Sequence, residues 1–317
     1  MFIETEYQQE TNPFRGESAP PAFLIERGAC RGKILSILLS SDTRQRYYLY
    51  LPQNSWRPTT ILVAVHGINR KAKEHVRGFI DFAERHGIAV LAPLFPKKRF
   101  PEYQRLGVGK RGLRSDIVLQ KILEEVADTF AVDTSRPLMF GYSGGGQFVH
   151  RYIMAYPKRV RRAVVAASGW YTLPDFGSRF PYGIGGTGTI NGRGFDPADF
   201  LKVPVCVVVG DKDIRRDPAL RKEKRLDTLQ GRNRLERGRN WVAAMKRQAD
   251  LYSVGGTFSF ISLPECGHSF LDCMERGMGE IVEQFFLGDF HAAQNVDGNA
   301  PAGYVPQPSG TYPQPEP

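Results

Sequence analysis

Seven short apolar runs, separated by helical patterns, limit the fold more than any other feature of this sequence. They are Tyr47–Leu51, Ile61–Val65, Ile88–Ala92, Leu138–Tyr142, Ala163–Ala167, Val203–Val209 and Phe258–Leu263. The central runs are continuously apolar and rich in β-branched residues, the pattern of strands covered on both faces of a parallel sheet. Between them, Lys73–His86 sets Val76, Phe79, Ile80 and Ala83 on one helical face. Ser115–Phe130 does the same with Val118, Ile122, Val126 and Phe130, with Ser115 as its N-cap. Gly144–Tyr156 and Ser269–Phe286 follow their strands in the same manner. This alternation predicts one mostly parallel, doubly wound α/β sheet flanked by helices. Reactive groups in such sheets sit at the carboxyl ends of strands.

The 317 residues, 41% hydrophobic and 11% aromatic, supply enough apolar surface for one large core and exclude a wholly disordered chain. Residues 1–22 are mostly polar, hold Pro13, Pro20 and Pro21, and show no periodic apolar face. Residues 289–317 carry six prolines from Pro301 onward, among Gly, Gln and Ser. The expected organisation is a disordered segment over 1–22, a single domain over 23–288 and a disordered Pro-rich tail over 289–317. No apolar run reaches the roughly 18 residues of a membrane span. The opening MFIETEYQQETNPF lacks the basic and apolar regions of a secretory signal. Four cysteines, Cys30, Cys206, Cys266 and Cys273, are too few and scattered for a disulfide framework, so a reducing cytoplasm is expected.

The run Leu138–Tyr142 leads into Gly141-Tyr142-Ser143-Gly144-Gly145, a G-x-S-x-G string with a strand before it and a helix after it. A sharp turn there lifts the serine hydroxyl above the sheet, at a helix N-terminus whose partial positive charge favours a developing oxyanion. Ser143 is therefore the candidate nucleophile. It needs a base, and the base needs an orienting acid. Of six histidines, His75 and His86 fall on the expected solvated face of the first helix, and His150 lies along the wall of the helix after Ser143. His291 is in the tail, and His66 shapes a turn before Gly67. His268, directly after the last strand in Glu265-Cys266-Gly267-His268-Ser269, remains as the base. The acid should follow a strand between Ser143 and His268, where Gly210-Asp211-Lys212-Asp213 closes the run Val203–Val209. Asp213 can reach across the sheet top and Asp211 can brace the loop. Asp213 is preferred, with Asp211 the alternative. Two backbone donors should face the oxyanion: Gly144, after the nucleophile, and Ile68, in the loop after Ile61–Val65.

His66-Gly67, the Ser143 string, Gly210–Asp213 and Gly267-His268, in that order, resemble the α/β-hydrolase superfamily over about residues 30–288. Arg44–Pro52, Val132-Asp133 and Ala155-Tyr156-Pro157 look like the polyhydroxybutyrate-depolymerase and feruloyl-esterase-type esterases. The resemblance implies a carboxylic-ester hydrolase with a serine acyl-enzyme and a small-molecule ester substrate. It implies no cofactor and no metal. The chain lacks an obvious polymer-binding module, which tells against polymer degradation.

Gly183–Gly188 matches G-x-G-x-x-G, but Phe180-Pro181-Tyr182 before it is no strand, so a dinucleotide site is not expected. The stretch 171–200 reads instead as a loop over the site, with Trp170, Tyr171 and Tyr142 as candidate substrate-binding residues. Cys266, His268 and Cys273 lack a second pair at zinc spacing. The net charge of +10 is uneven: residues 214–247 hold 12 Lys/Arg against 4 Asp/Glu, and residues 95–114 hold 7 against 1. The first stretch is expected to form a small basic, helical, cap-like segment with its arginines in solvent. Without a nucleic-acid module, this charge points to anionic substrates rather than to nucleic acid.

Overall fold

The computed structural model describes residues 3–5 and 30–288, apart from 54, 56–57, 59, 108–111, 187–189 and 191–193. The tail 289–317 and the rest of 1–22 lie outside the described residues.

All seven apolar runs become strands, in a nine-stranded sheet. In chain order these are β1 (Ile3–Thr5), β2 (Ile34–Leu39), β3 (Asp42–Tyr50), β4 (Ile61–Val65), β5 (Ala89–Pro93), β6 (Leu138–Tyr142), β7 (Arg162–Ala166), β8 (Val205–Gly210) and β9 (Phe258–Leu263). Their spatial order is β1-β2-β3-β5-β4-β6-β7-β8-β9. From β5 to β9 every pairing is parallel, while β1, β2 and β3 join antiparallel at one edge. The edge strands β1 and β2 were not anticipated. β2 reads ILSILL, apolar but for Ser36, and its buried and partly exposed positions alternate. β1 lies inside the segment expected to be without structure.

The helices are α1 (Ala72–Arg77), α2 (Ile80–His86), α3 (Ser115–Phe130), α4 (Gly144–Ala155), α5 (Pro197–Phe200), α6 (Lys224–Gln230), α7 (Arg234–Leu251), α8 (Phe270–Cys273) and α9 (Gly279–Leu287). Two cores flank the sheet. Val63, Val65, Val207 and Val209 face α3, α4 and α7, whereas Leu62, Ala64, Cys206 and Val208 face α1, α2 and α9. The alternation along each strand is what a sheet covered on both faces requires. The predicted helix Lys73–His86 divides into α1 and α2 at Gly78, against which the Phe270 ring packs. Ser269–Phe286 divides as well, because Gly277 takes φ +94 between α8 and α9. Ser115 is the first helical residue rather than the cap; Arg114 holds the cap position, and Ser115 Oγ donates to the Tyr103 carbonyl.

The basic segment 214–247 differs most from expectation. From Arg234 onward it is a long helix of the main layer, with Gly238 packed on Val207, Val209 and Phe260. Its buried face includes Arg234 and Arg237, which are removed from solvent. Among the described residues, no helix is long and apolar enough to cross a membrane.

β4 lies between β5, which follows it in the chain, and β6, so the winding direction reverses there. In open α/β sheets a crevice forms at the carboxyl ends beside such a reversal. The loops after β4 and β6 carry Ile68 and Ser143 to that place.

Candidate active site

Ser143 sits between β6 and α4 with φ +55 and ψ −111, a backbone conformation that β-carbon sterics disfavour. The surroundings impose it. A Cβ on Gly145 would stand 1.9 Å from the Val65 carbonyl oxygen, and one on Gly141 would stand 2.3 Å from that of Gly145. Only glycines allow the turn to press this closely onto β4. The Ser143 amide also donates to the Ala166 carbonyl at 2.8 Å, tying the elbow to β7.

The loops after β8 and β9 meet the elbow. His268 Nε2 lies 3.0 Å from Ser143 Oγ, and His268 Nδ1 lies 2.7 Å from Asp213 Oδ2. With a carboxylate at one end, the consistent arrangement has Nδ1–H donating to Asp213 and the serine hydroxyl donating to Nε2. Asp211 Oδ1 accepts from the Cys266 amide at 3.3 Å, in the loop that carries His268. The Tyr142 ring stands 5.5 Å from the His268 imidazole, forming the wall behind it.

Ile68 and Gly144 are neighbours. A Cβ on Gly144 would stand 3.3 Å from the Ile68 nitrogen, so the two residues named from the sequence lie against each other. A buried histidine fixes the loop that carries Ile68. His66 Nδ1–H donates to the Gly67 carbonyl at 2.8 Å, and its Nε2 accepts from the Phe95 amide at 3.0 Å. The second bond needs the neutral ring, and burial pushes His66 down to about 3. Tyr103 adds a hydroxyl bond to the His66 carbonyl at 2.9 Å.

Four expectations need correction. Tyr171, proposed to line a substrate pocket, is fully buried, stacked on Trp241 and clamped through its backbone by the Gln230 amide. Trp170 is also mostly covered, its ring faced by the guanidinium groups of Arg151 and Arg221. His75 is not on a solvated face. Its Nδ1–H donates to the Lys71 carbonyl, its ring stacks on Phe270 at 4.1 Å, and burial lowers it to about 4. Finally, Cys266 and Cys273 form a disulfide that closes the loop holding His268, while Cys30 and Cys206 are buried free thiols.

The Gly183–Gly186 stretch is a series of bends with one bridge from Gly185 to Arg179, and no helix starts within it. Residues 187–189 lie outside the described set. Among the described residues no group of His, Cys, Asp and Glu could hold a metal ion.

The chain is similar in structure to poly(aspartic acid) hydrolase-1 from Sphingomonas sp. KT-1, with a TM-score of 0.65 and 26% identity over 75% of this chain and 93% of that one. A poly(3-hydroxybutyrate) depolymerase from Bordetella parapertussis gives 0.68 and 24%, covering 84% and 94%. The protein has the α/β-hydrolase fold. A ferulic acid esterase shares this fold at a TM-score of 0.50 and 14% identity, covering 79% of this chain and 95% of that one. No family model matches the chain, and no curated protein is significantly similar to it. Within the α/β-hydrolase fold, the elbow serine, the acid loop after β8 and the histidine loop after β9 occupy the chain order Ser, Asp, His.

Sequence reasoning missed one residue of this centre. Arg234, 1% exposed, directs Nη1 to Asp213 Oδ1 at 3.1 Å and to Asp217 Oδ2 at 2.6 Å. The signal was helix phase: Trp241 and Met245 lie seven and eleven residues further on, so Arg234 falls on the same buried face.

Proposed function

We propose that this protein is a serine hydrolase of carboxylic esters, working through an acyl-enzyme on Ser143. The observation that carries the reading is the unbroken hydrogen-bond line from Ser143 Oγ through His268 to Asp213, at the elbow of an α/β-hydrolase fold. In this mechanism Ser143 Oγ attacks the ester carbonyl as His268 Nε2 takes its proton. Asp213 holds the imidazole tautomer and offsets the charge that forms. The Ile68 and Gly144 amides receive the oxyanion. His268 then delivers its proton to the leaving alcohol, and water, deprotonated in turn by His268, releases the acid.

The test uses a fluorophosphonate probe and a panel of p-nitrophenyl esters of increasing acyl length. Labelling of Ser143, located by peptide mass spectrometry, together with ester turnover supports the reading. An intact, folded protein that neither labels nor turns over any ester defeats it and leaves a binding protein on a hydrolase fold.

A second reading concerns the bond rather than the machinery. The likeness to a poly(aspartic acid) hydrolase, with the net charge of +10, favours an anionic substrate joined by amide bonds. Turnover of poly(aspartic acid) in preference to poly(3-hydroxybutyrate) and to thioesters would select it. The charge argument is narrower than the sequence implied, because in the basic segment Arg216 and Arg237 are paired with Asp227, and Arg234 with Asp213 and Asp217.

The cytoplasmic placement expected from the cysteine count meets one contrary observation. A Cys266–Cys273 bond persists in oxidising surroundings and is uncommon in reducing ones. Protein unfolded without reductant should show two reactive thiols, from Cys30 and Cys206, and four after reduction. Four before reduction would restore the cytoplasmic expectation.

A further inference from the structure

Asp213 has two carboxylate oxygens and two different partners. Oδ2 faces His268 Nδ1 at 2.7 Å, and Oδ1 faces Arg234 Nη1 at 3.1 Å. Arg234 is the first residue of α7, and that helix is fixed by its packing on β8 and β9. Its guanidinium is shared with Asp217, whose Oδ2 takes Nη1 at 2.6 Å and whose Oδ1 takes Nη2 at 3.2 Å. Asp217 is itself pinned, since Oδ1 accepts from the Ala219 and Leu220 amides. The hydrogen bond from Arg234 holds Asp217 down to about 2. Among the described residues Arg234 Nε has no partner, so the side chain's placement follows the two carboxylates rather than the fullest pairing of its own donors. A buried charge in this position is costly unless it is paired. Here the pairing passes directly into the line that ends at Ser143.

We propose that Arg234 is a positioning residue of the triad: it turns Asp213 so that Oδ2 meets His268, and together with Asp217 it sets the net charge that His268 meets through that carboxylate. The inference rests on the serine-hydrolase reading given above. Its physical content is electrostatic. An unscreened Asp213 favours the imidazolium strongly and would leave less free base to activate Ser143 at mildly acidic pH. Arg234 offsets part of that charge, and Asp217 weakens the offset in turn.

The other charged and titratable groups around this line are the same in every variant compared. From β6 the Tyr142 hydroxyl, and from the loop after β7 the Tyr171 hydroxyl, are both raised by burial and stay neutral. On α7, Arg237 is paired with Asp227. In the loops after β8 and β9, Asp211 is bonded to the Cys266 amide and Lys212 to Glu265. On α8, Asp272 is bonded to Arg276.

The experiment measures the rate of fluorophosphonate labelling of Ser143 against pH, with circular dichroism at each pH to confirm the folded state. Arg234→Met is expected to move the acid limb up by about one pH unit, so that labelling at the wild-type half-maximal pH falls roughly fivefold. Asp217→Asn is expected to move the limb the opposite way, by about half a unit, because Arg234 then acts on Asp213 alone. Arg234→Lys, which keeps the charge, should leave the limb near that of the wild type while slowing labelling through poorer geometry. A purely structural role for Arg234 moves no limb and gives no opposed signs. Limbs that coincide with the wild type, or that move the same way in Arg234→Met and Asp217→Asn, overturn the proposal. Should Arg234→Met not fold, the downward shift in Asp217→Asn decides alone. A wild type that never labels at Ser143 defeats the hydrolase reading itself, an outcome distinct from labelling with an unmoved limb.

Discussion

Ser143→Ala is expected to lower kcat on any p-nitrophenyl ester that the wild type accepts by at least ~10⁴-fold, with the fold unchanged by circular dichroism. The size follows from what is removed. Without Oγ there is no acyl-enzyme, and His268 has no hydroxyl to deprotonate; the Ile68 and Gly144 amides can still polarise a carbonyl, which leaves a small residual rate above water. The substitution should be structurally mild. Alanine keeps the Cβ that Ser143 already presents at φ +55, and the elbow is held by contacts of Gly141 and Gly145 that it does not touch. Retention of wild-type turnover in the alanine variant would remove the nucleophile from the mechanism.

Asp213→Asn and Asp211→Asn, compared side by side, should differ by orders of magnitude. In Asp213→Asn the amide can offer an N–H to His268 Nδ1, stabilising the tautomer that carries its proton on Nε2 and facing Ser143 with a donor. The expected loss is ~10⁴-fold in kcat with little change in KM. The variant also leaves Arg234 facing a neutral group, so a fall in thermal stability should accompany the kinetic loss. Asp211→Asn keeps an oxygen that can accept from the Cys266 amide, and its effect should stay within about tenfold. A reversed order would make Asp211 the acid and the observed Asp213–His268 contact incidental.

The parts of the centre that could be read from the sequence were those with a local signature. Ser143 lies between a strand and a helix inside a glycine-flanked turn, and His268 follows a strand after a glycine; neither needs knowledge of a distant partner. Asp213 against Asp211 stayed open because the answer depends on how the chain turns after Gly210, and that path is set by the Cys266 and Gly267 carbonyls of another loop. Arg234 was hidden by composition. Twelve basic residues in one stretch look like a solvated face, and only the helix phase set by Trp241 and Met245 separates Arg234 and Arg237 from the rest. Tyr171 went the other way: next to Trp170 in a loop it looked available, yet Trp241 stacks on it from a helix seventy residues further along. The Cys266–Cys273 bond depends on α8 turning back after His268, which the cysteine spacing does not announce.

His66, His75 and His150 are all buried, and all use Nδ1–H to bond a backbone carbonyl. Burial drives each of them well down, to about 3 for His66 and about 4 for His75. Unfolded, each would accept a proton near pH 6.5. The stability they contribute is therefore complete above that pH. It drains away as the medium acidifies toward the folded-state values, by about 1.4 kcal/mol per pH unit for each ring. Against a total of roughly 5–15 kcal/mol, three such proton sinks give the molecule an acid limit unrelated to its chemistry. Urea midpoints should fall between pH 6 and pH 4.5 even in Ser143→Ala. Acid thus reaches the fold through three rings of its interior as well as through its surface.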